Sequence, residues 1–456
     1  MRFLPLAIRA SFLGGAVLTA AAQQTGHDPD ACAAHERVVL LTLWPQHQSF
    51  LAAQFGLIPE CSEPGLGMYA FRPKAGTTQA ELDAIVESAE NSWVVVAASR
   101  DGSSRVPEVE SCSLTFPDLV SVQDCTVGFV SGGTPLVPCE PNPWLEQVGA
   151  ADLPESGETS RVAVIDTGVD PTHPSLVGRL DGAGFDFLAG VGGGYPVFNG
   201  LDDDGDGLID EGAYHGTQVA SLICQVDPGA RILPYRVCDS EGNGRGYDVA
   251  RAIFLAIKQG ADVINLSLSF SEKHHAVDLA LRLAIASGVE VCVASGNTGS
   301  SNPLYPATID ESNPYSLAMW KYPYGVLAVS AVDAVGQRAT FGAWGEPIDI
   351  VAPSVGLCAA APGGAWAPFS GTSAATAVAS GALSRVRSEA AYKAAAGSAV
   401  ELLIGTAVPL DYGDVEWAGQ LGTGRVDLGA ALALIPPAAD PFYGWGPCSW
   451  WAGDGD

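Results

Sequence analysis

Basic residues are scarce in this chain of 456 residues. It carries 22 Lys and Arg against 51 Asp and Glu, so its formal net charge at pH 7 is −29. A field of that sign repels phosphate backbones and anionic lipid headgroups. We therefore expect neither a nucleic acid nor an anionic membrane surface as a partner.

Long apolar runs are also absent, apart from one near the N-terminus. Residues 11–22 (SFLGGAVLTAAA) are apolar and small, and they follow Arg2 and Arg9. The run is too short to span a bilayer, and its basic start is typical of a secretory signal peptide. We predict a signal peptide over residues 1–22, no membrane span, and a secreted protein, extracellular or periplasmic. A buried N-terminal helix is the alternative.

None of the ten cysteines forms a pair with the CxxC spacing, which argues against a zinc site or a thioredoxin-like redox site. An even number of cysteines in an exported chain permits disulfides. Cys112 and Cys125 are close enough in sequence for a local bridge. Cys292 lies in the apolar run VEVCVAS, so we expect a buried thiol there. The sequence leaves the pairing open.

The N-terminal quarter has the pattern of a small α+β unit. Residues 79–89 have helical periodicity. Three runs have strand composition: residues 38–44, 67–73 and 92–99. We predict an α+β pro-region over residues 23–105. The following segment, residues 106–141, is rich in Cys, Pro and Gly, and we interpret it as a linker or an irregular, disulfide-held segment.

From residue 142 the pattern changes to strands that alternate with helices. Short β-branched apolar runs predict strands at residues 161–166, 231–237, 262–268, 289–294, 325–332 and 347–353. Amphipathic runs predict helices at residues 215–226, 247–260 and 274–288. This alternation predicts an α/β fold over residues 142–435: a doubly wound, mainly parallel sheet with helices on both faces. An aromatic tail, residues 436–456, follows, and we expect it to pack on the domain.

Three polar residues stand where a strand or loop is predicted to meet a helix. Asp166 ends a strand in AVIDTG, His215 opens a helix in HGTQVAS, and Ser373 opens one in GTSAATAVASG. A serine hydroxyl becomes a nucleophile when a histidine takes its proton and a buried carboxylate orients the histidine. We predict that these three residues are catalytic.

Such a reaction also needs hydrogen-bond donors for the oxyanion that it forms. Asn297 follows an apolar strand in the turn ASGNTG, and its side-chain amide is the predicted donor. The backbone N–H of Ser373 is a second donor, because N–H groups at a helix N-terminus lack intrahelical partners. Each of these motifs alone commonly has only a structural role. The prediction rests on the presence of all four in the chain order Asp166, His215, Asn297, Ser373.

These motifs resemble those of the subtilisin-family serine peptidases, the subtilases, in which the chain order is also Asp, His, Ser. The resemblance covers about residues 142–435 and rests on AVIDTGVDPTHP, HGTQVAS, VINLSLS, ASGNTG, FGAWGEPIDIVAPS, GTSAATAVASG and GTGRVD. It implies a serine endopeptidase that works through an acyl-enzyme, is made as a precursor and needs no cofactor for its chemistry. We expect a monomer that acts on protein or peptide substrates.

The resemblance also implies where a substrate binds. Six residues would wall the pocket next to the cleaved bond: Ser267, Leu268, Ser269, Ala294, Ser295 and Gly296. The peptide would lie as an added β-strand along residues 267–269 and along the loop near Gly244 and Gly246.

The chain departs from the usual pattern of that family near these motifs. Where the family usually has His, Gly, Gly, Gly, Met and Pro, the chain has Gln218, Ser221, Ser269, Ser354, Ala374 and Ala377. These changes leave the predicted triad intact and favour restricted specificity or low activity. Three of them, Ser269, Ala374 and Ala377, are the only support for the alternative of a non-catalytic, peptide-binding protein. Transfer of the acyl group to an amine is a third hypothesis, which nothing in the sequence favours.

An acidic loop shortly before His215 has a partial calcium-binding pattern. LDDDGDGLIDEG (201–212) matches the opening of an EF-hand loop, although the Glu that normally ends such a loop is replaced by Ala213. We predict a structural Ca²⁺ ion, and a solvated acidic loop is the alternative. The predicted ligands are Asp202, Asp204, Asp206, Leu208 and Asp210.

Overall fold

A computed structural model describes residues 38–42, 48–63, 67–90, 92, 95, 97–100, 103–105, 114–116, 119–122, 143–151, 153, 159–203, 209–309, 326–389, 392, 398–410, 417 and 419–435. The predicted signal peptide, the predicted tail, and both Cys112 and Cys125 lie outside these residues.

The N-terminal unit is a four-stranded antiparallel sheet with two helices. In chain order its elements are β1 (Val38–Leu41), α1 (Gln48–Phe55), β2 (Ile58–Glu63), β3 (Met68–Arg72), α2 (Gln79–Glu90) and β4 (Ala97–Arg100). The sheet order is β2-β3-β1-β4. The sequence predicts β1, β3, β4 and α2 but misses β2, which contains Pro59 and a register shift between Pro59 and Cys61. It also misses α1, in which only Leu51 and Ala52 are buried.

Three short strands follow: β5 (Ser103–Arg105), β6 (Leu114–Phe116) and β7 (Leu119–Val122). The strands β6 and β7 pair antiparallel within the segment that the sequence analysis interprets as irregular.

From residue 143 onward, helices alternate with strands. The elements are α3 (Pro143–Gln147), β8 (Arg161–Asp166), β9 (Phe185–Asp186), β10 (Val191–Gly192), α4 (His215–Val226), β11 (Arg231–Arg236), β12 (Asn243–Arg245), α5 (Gly246–Lys258), β13 (Val263–Leu266), β14 (Ser269–Phe270), α6 (His275–Ala286), β15 (Glu290–Ala294), β16 (Val326–Val332), β17 (Ile350–Pro353), β18 (Leu357–Ala361), β19 (Ala365–Phe369), α7 (Thr372–Arg387), α8 (Ala399–Thr406) and α9 (Leu428–Leu434).

Eight of these strands form one sheet, in the order β10-β9-β11-β8-β13-β15-β16-β17. Only the short pair β9–β10 is antiparallel; the other pairs are parallel. Successive residues of a strand point to opposite faces of the sheet. Because both faces carry apolar residues, helices cover both of them. In β8, Val162 and Val164 pack in the core that contains α4 and α7, whereas Ala163 and Ile165 pack in the core that contains α5 and α6. The predicted α/β fold is confirmed.

The same alternation in β1 joins the N-terminal unit to this sheet. Val38 and Leu40 pack with residues of α1 and α2, whereas Val39 and Leu41 belong to the core that contains α5 and α6. The small sheet therefore lies on the helices that cover one face of the large sheet, and its strands β1 and β4 contact α6.

Cys292 is a buried thiol, as predicted, and it lies between the sheet and α7. Its Sγ is 3.5 Å from the backbone oxygen of Thr376, and burial raises the pKa of the thiol to about 12. The disulfides stay a prediction, and their pairing stays open. In the part of the chain that the structure describes, no helix is both long and apolar enough to cross a membrane.

Asp349 makes the stability of the fold depend on pH. It precedes β17, and burial raises the pKa of its carboxyl to about 6, although the Ala328 backbone N–H donates to Oδ2 at 2.7 Å. Because this pKa lies above the unfolded value of about 3.9, the stabilising contribution is full below about pH 4 and is lost as the pH rises through about 6.

We predict that Asp349→Asn raises the free energy of unfolding by about 1–3 kcal/mol above pH 7 and changes it little at pH 4. Denaturant unfolding at both pH values, in a Ser373→Ala background that prevents self-digestion, measures the difference. Glu346→Gln, an exposed change three residues earlier, serves as the control. An equal effect of Asp349→Asn at both pH values would contradict this account.

Candidate active site

Asp166 and His215 meet at the carboxyl end of β8. Asp166 is the last residue of this strand, and its fully buried carboxylate accepts two hydrogen bonds at Oδ1. One comes from His215 Nδ1 at 2.8 Å and the other from the Thr167 backbone N–H at 2.7 Å. The carboxylate thus holds the proton on Nδ1, which leaves Nε2 as the ring atom that can accept a proton.

Two glycines allow this close approach. A Cβ atom on Gly216 would lie 2.5 Å from the backbone oxygen of Gly168 and 3.0 Å from Cβ of Asp166. Gly168 has a φ of 109°, in the region that favours glycine. The Gly216 N–H also donates to Thr167 Oγ1 at 3.1 Å. The start of α4 is therefore packed directly against the turn that follows β8.

Ser373 is the second residue of α7 and is almost completely buried. Its Oγ donates to the backbone oxygen of Ser267 at 3.3 Å, and Ser267 Oγ donates in return to the Ser373 backbone oxygen at 3.2 Å. Among the described residues, His215 Nε2 has no hydrogen-bond partner. The structure therefore shows the Asp–His hydrogen bond but not a Ser–His hydrogen bond.

The helices α4 and α7, which carry His215 and Ser373, pack against each other in one core. Gly381 makes this approach possible, because a Cβ atom there would lie 2.6 Å from Cβ of Val226. Near the helix starts, the Phe369 ring lies edge-on to the His215 imidazole with 5.4 Å between centroids. Rotation of Ser373 to another staggered rotamer redirects its hydroxyl away from Ser267.

Asn297 is tied to the residue directly before Ser373. Its Oδ1 accepts hydrogen bonds from the Thr372 backbone N–H at 2.9 Å and from Thr372 Oγ1 at 3.0 Å. Because the amide oxygen faces Thr372, the donor end of the amide, Nδ2, points elsewhere. The sequence analysis did not single out Thr372. Its position in the first helical turn, next to Ser373, was the available signal.

The residues predicted to wall the substrate pocket lie at the ends of β13 and β15. Ser267, Leu268, Ser269, Ala294, Ser295 and Gly296 are all buried. The backbone oxygen of Ser295 accepts from the Leu304 N–H at 2.8 Å, and that of Gly296 accepts from the Ala343 N–H at 3.1 Å. Two neighbouring loops thus hold this wall in place.

The position predicted for a substrate strand is occupied by the chain itself. A three-stranded antiparallel sheet has the order β12-β5-β14. In it, Ser104 pairs with Gly244 and with Phe270, and Arg105 pairs with Asn243 and with Ser269. Gly246 follows β12 as the first residue of α5. The strand β5, at the end of the predicted pro-region, therefore lies between the two segments predicted to bind a peptide.

Two of the unusual residues have structural partners. Ser221 Oγ donates to the backbone oxygen of Gln218 at 2.7 Å and accepts from the Ala360 N–H at 2.9 Å, which ties α4 to β18. Ser354 Oγ donates to the backbone oxygen of Val332 at 3.2 Å. Ala374 and Ala377 are fully buried in α7.

A fixed negative charge lies near His215. Tyr214, the preceding residue, donates its hydroxyl to Asp170 Oδ2 at 2.9 Å. Burial alone would raise the pKa of Asp170, but hydrogen bonds from Thr172 and Tyr214 and the nearby His173 lower this pKa below its ordinary value. Burial also raises the pKa of Tyr214. At neutral pH the pair is therefore an ionised carboxylate with a neutral phenol.

The predicted calcium ligands are only partly described. Asp204, Asp206 and Leu208 lie outside the described residues, and Asp202 is exposed. Asp210 is buried, and its two carboxylate oxygens accept from the backbone N–H groups of Asn199 and Gly200 at 2.9 and 2.8 Å. Among the described residues, no three or more His, Cys, Asp or Glu side chains form a cluster suited to a metal ion. The calcium site stays a prediction.

Known proteins resemble this chain in sequence and fold. A sequence profile of the subtilase family matches residues 157–446. A thermophilic serine proteinase of Bacillus sp. (strain AK1) is 34% identical over 237 residues, which cover 50% of this chain and 52% of that protein. Subtilisin E of Bacillus subtilis (strain 168) is 32% identical over 261 residues, which cover 54% of this chain and 60% of that protein. The matched region thus spans less than two thirds of the length of either relative.

A solved structure shares the fold. Fervidolysin from Fervidobacterium pennivorans, a keratinolytic enzyme related to subtilisin, superimposes with a TM-score of 0.61 at 19% sequence identity. The match covers 88% of this chain and 62% of fervidolysin.

Proposed function

This chain belongs to the subtilase family, and we propose that it is a secreted serine endopeptidase that is made as a precursor. The observation that carries the proposal is the buried hydrogen bond between Asp166 and His215. It lies at the same rim of the sheet as the start of α7, where Ser373 follows Thr372 and Asn297 is tied to that helix.

In the proposed reaction, Ser373 Oγ attacks the carbonyl carbon of a peptide bond and transfers its proton to His215 Nε2. Asp166 stabilises the imidazolium that results. The backbone N–H of Ser373 and Nδ2 of Asn297 donate to the oxyanion. His215 then gives its proton to the leaving amine as the C–N bond breaks. A water molecule, deprotonated by His215, hydrolyses the acyl-enzyme and restores Ser373.

The position of β5 between β12 and β14 supports the proposal that the precursor is inactive. A substrate strand and β5 would compete for the same hydrogen-bonding edges of β12 and β14. Arg105 pairs with Ser269, and Ser267, beside the nucleophile, is two residues further along that pairing. If this register continues, the peptide bond that Ser373 would cut is about two residues beyond Arg105 in sequence. Self-cleavage there would release the predicted pro-region, residues 23–105, together with the few residues that precede the cut.

We predict that Ser373→Ala abolishes both maturation and hydrolysis, because the nucleophile is lost. The wild-type protein should carry a new N-terminus within about five residues after Arg105, whereas the variant stays a full-length precursor. Peptidase activity should fall by on the order of 10⁴-fold or more. N-terminal sequencing, intact mass and a fluorogenic peptide assay measure these outcomes.

Ser370→Ala, three residues earlier in the same segment, is the matched control and should mature normally. Unchanged processing and activity in Ser373→Ala would refute the proposal. Failure of a fluorophosphonate to label Ser373 in the wild-type protein would instead favour the non-catalytic alternative. Products whose masses show a new amide bond would favour the acyl transferase.

Thr372 is predicted to position Asn297. Thr372→Val keeps the backbone N–H bond to Asn297 but removes the hydroxyl bond, so the amide should be less well oriented toward the oxyanion. We expect kcat to fall by about tenfold while KM changes little, because the oxyanion forms only in the transition state. Thr376→Val removes another buried hydroxyl from α7, one that bonds to the Thr372 backbone oxygen, and should leave kcat near the wild-type value. Equal effects of both changes would show that Thr372 acts only through stability.

A further inference from the structure

The pairing of β5 fixes which substrate residue would lie at each position of the cleft. The backbone oxygen of Ser267 lies 3.3 Å from Ser373 Oγ, so the substrate residue opposite Ser267 is the one that is attacked. In the same antiparallel register, Ser104 pairs with Phe270, three residues further along. The residue at the position of Ser104 is thus the fourth substrate residue, counted back from the cut bond.

The side chain of this fourth substrate residue points into the protein. Residues that pair directly across antiparallel strands carry their side chains on the same face. Phe270 is 2% exposed, and its ring packs 5.9 Å from that of Tyr305 in the core that contains α5 and α6. The third substrate residue, which pairs with Ser269, lies on the opposite face.

His274 fills the space on this inner face. Its ring lies 5.9 Å from the Phe270 ring at an angle of 32°. A Cβ atom on Gly246 would lie only 2.4 Å from Cδ2 of His274. Gly244, which pairs with Ser104, also lacks a side chain. The imidazole therefore takes the volume beside β12 that a larger substrate side chain would need.

The position of His274 is fixed by its place in the fold. It is the residue that caps α6, where its Nδ1 accepts from the Val277 backbone N–H at 3.4 Å. Tyr305 Oη donates to its backbone oxygen at 3.5 Å. His274 is 1% exposed with β5 in place. A large substrate side chain would have to displace the His274 imidazole, which packing holds in place.

We propose that His274 determines specificity by restricting the fourth substrate residue to a small side chain such as Gly, Ala or Ser. This inference deepens the proposed peptidase function and depends on it. The residue that the chain itself places at this position, Ser104, is small, as the restriction requires.

The wild-type enzyme provides the first test. Peptides that differ only at the fourth residue before the cut bond, with Ser, Leu or Phe, are compared by kcat/KM. We expect the Phe peptide to be cleaved about tenfold or more less efficiently than the Ser peptide, since an apolar mismatch of a few methylenes gives discrimination of this size. Equal or better cleavage of the Phe peptide overturns the inference and leaves the peptidase function standing. Absence of any cleavage overturns the proposed function and this inference with it.

Substitution of His274 provides the second test. His274→Asn retains a good capping residue with a smaller side chain, and it should raise kcat/KM for the Phe peptide relative to the Ser peptide by about tenfold. His274→Phe keeps a large ring at this position, so the Ser peptide should still be cleaved with a higher kcat/KM than the Phe peptide. If the ratio of kcat/KM for the two peptides is unchanged in a folded His274→Asn variant, the inference is overturned. If that variant does not fold, the wild-type comparison decides alone.

Discussion

The buried hydrogen bond between Asp166 and His215 is the interaction on which the rest of the site depends. A carboxylate with no solvent exposure is costly unless hydrogen bonds compensate for the lost hydration. Here the imidazole and the Thr167 N–H supply them. The bond forms only because Gly216 lets the start of α4 touch the turn after β8. The motifs around Asp166 and His215 thus make one structural unit, whose glycines are as necessary as its polar residues.

Close packing of small residues then brings α7, which carries Ser373, against the helix that carries His215. The helix α7 is rich in Ala and Ser and runs through the core against the sheet, where Cys292 contacts its backbone. Its Gly381 lies against Val226 of α4. Four hydrogen bonds fix the start of the helix. Ser267 contacts Ser373 through two buried ones, and Asn297 holds Thr372 through two that are partly buried. Ser373, Asn297 and the segment that starts at Ser267 are therefore connected through adjacent backbone segments.

The N-terminal unit and the strand β5 that follows it contact the α/β domain in two places. One face of its sheet packs on the helices beside the cleft, and β5 pairs with both edges of the cleft. In the proposed function a substrate strand would replace β5 between β12 and β14, so the packed His274 would restrict any strand that pairs there.

Periodicity was enough to predict the parallel sheet and its covering helices, because burial on both faces leaves a local pattern. Motif order predicts roles for Asp166, His215, Asn297 and Ser373, and these roles stay predictions. The sequence missed α1 and β2, whose apolar residues form no clear pattern, and it interpreted residues 106–141 as irregular although they contain the pair β6–β7. It also did not single out Thr372 or His274. Their roles arise from contacts between residues that are far apart in the chain, Thr372 with Asn297 and His274 with Gly246, and only the tertiary structure brings those partners within reach.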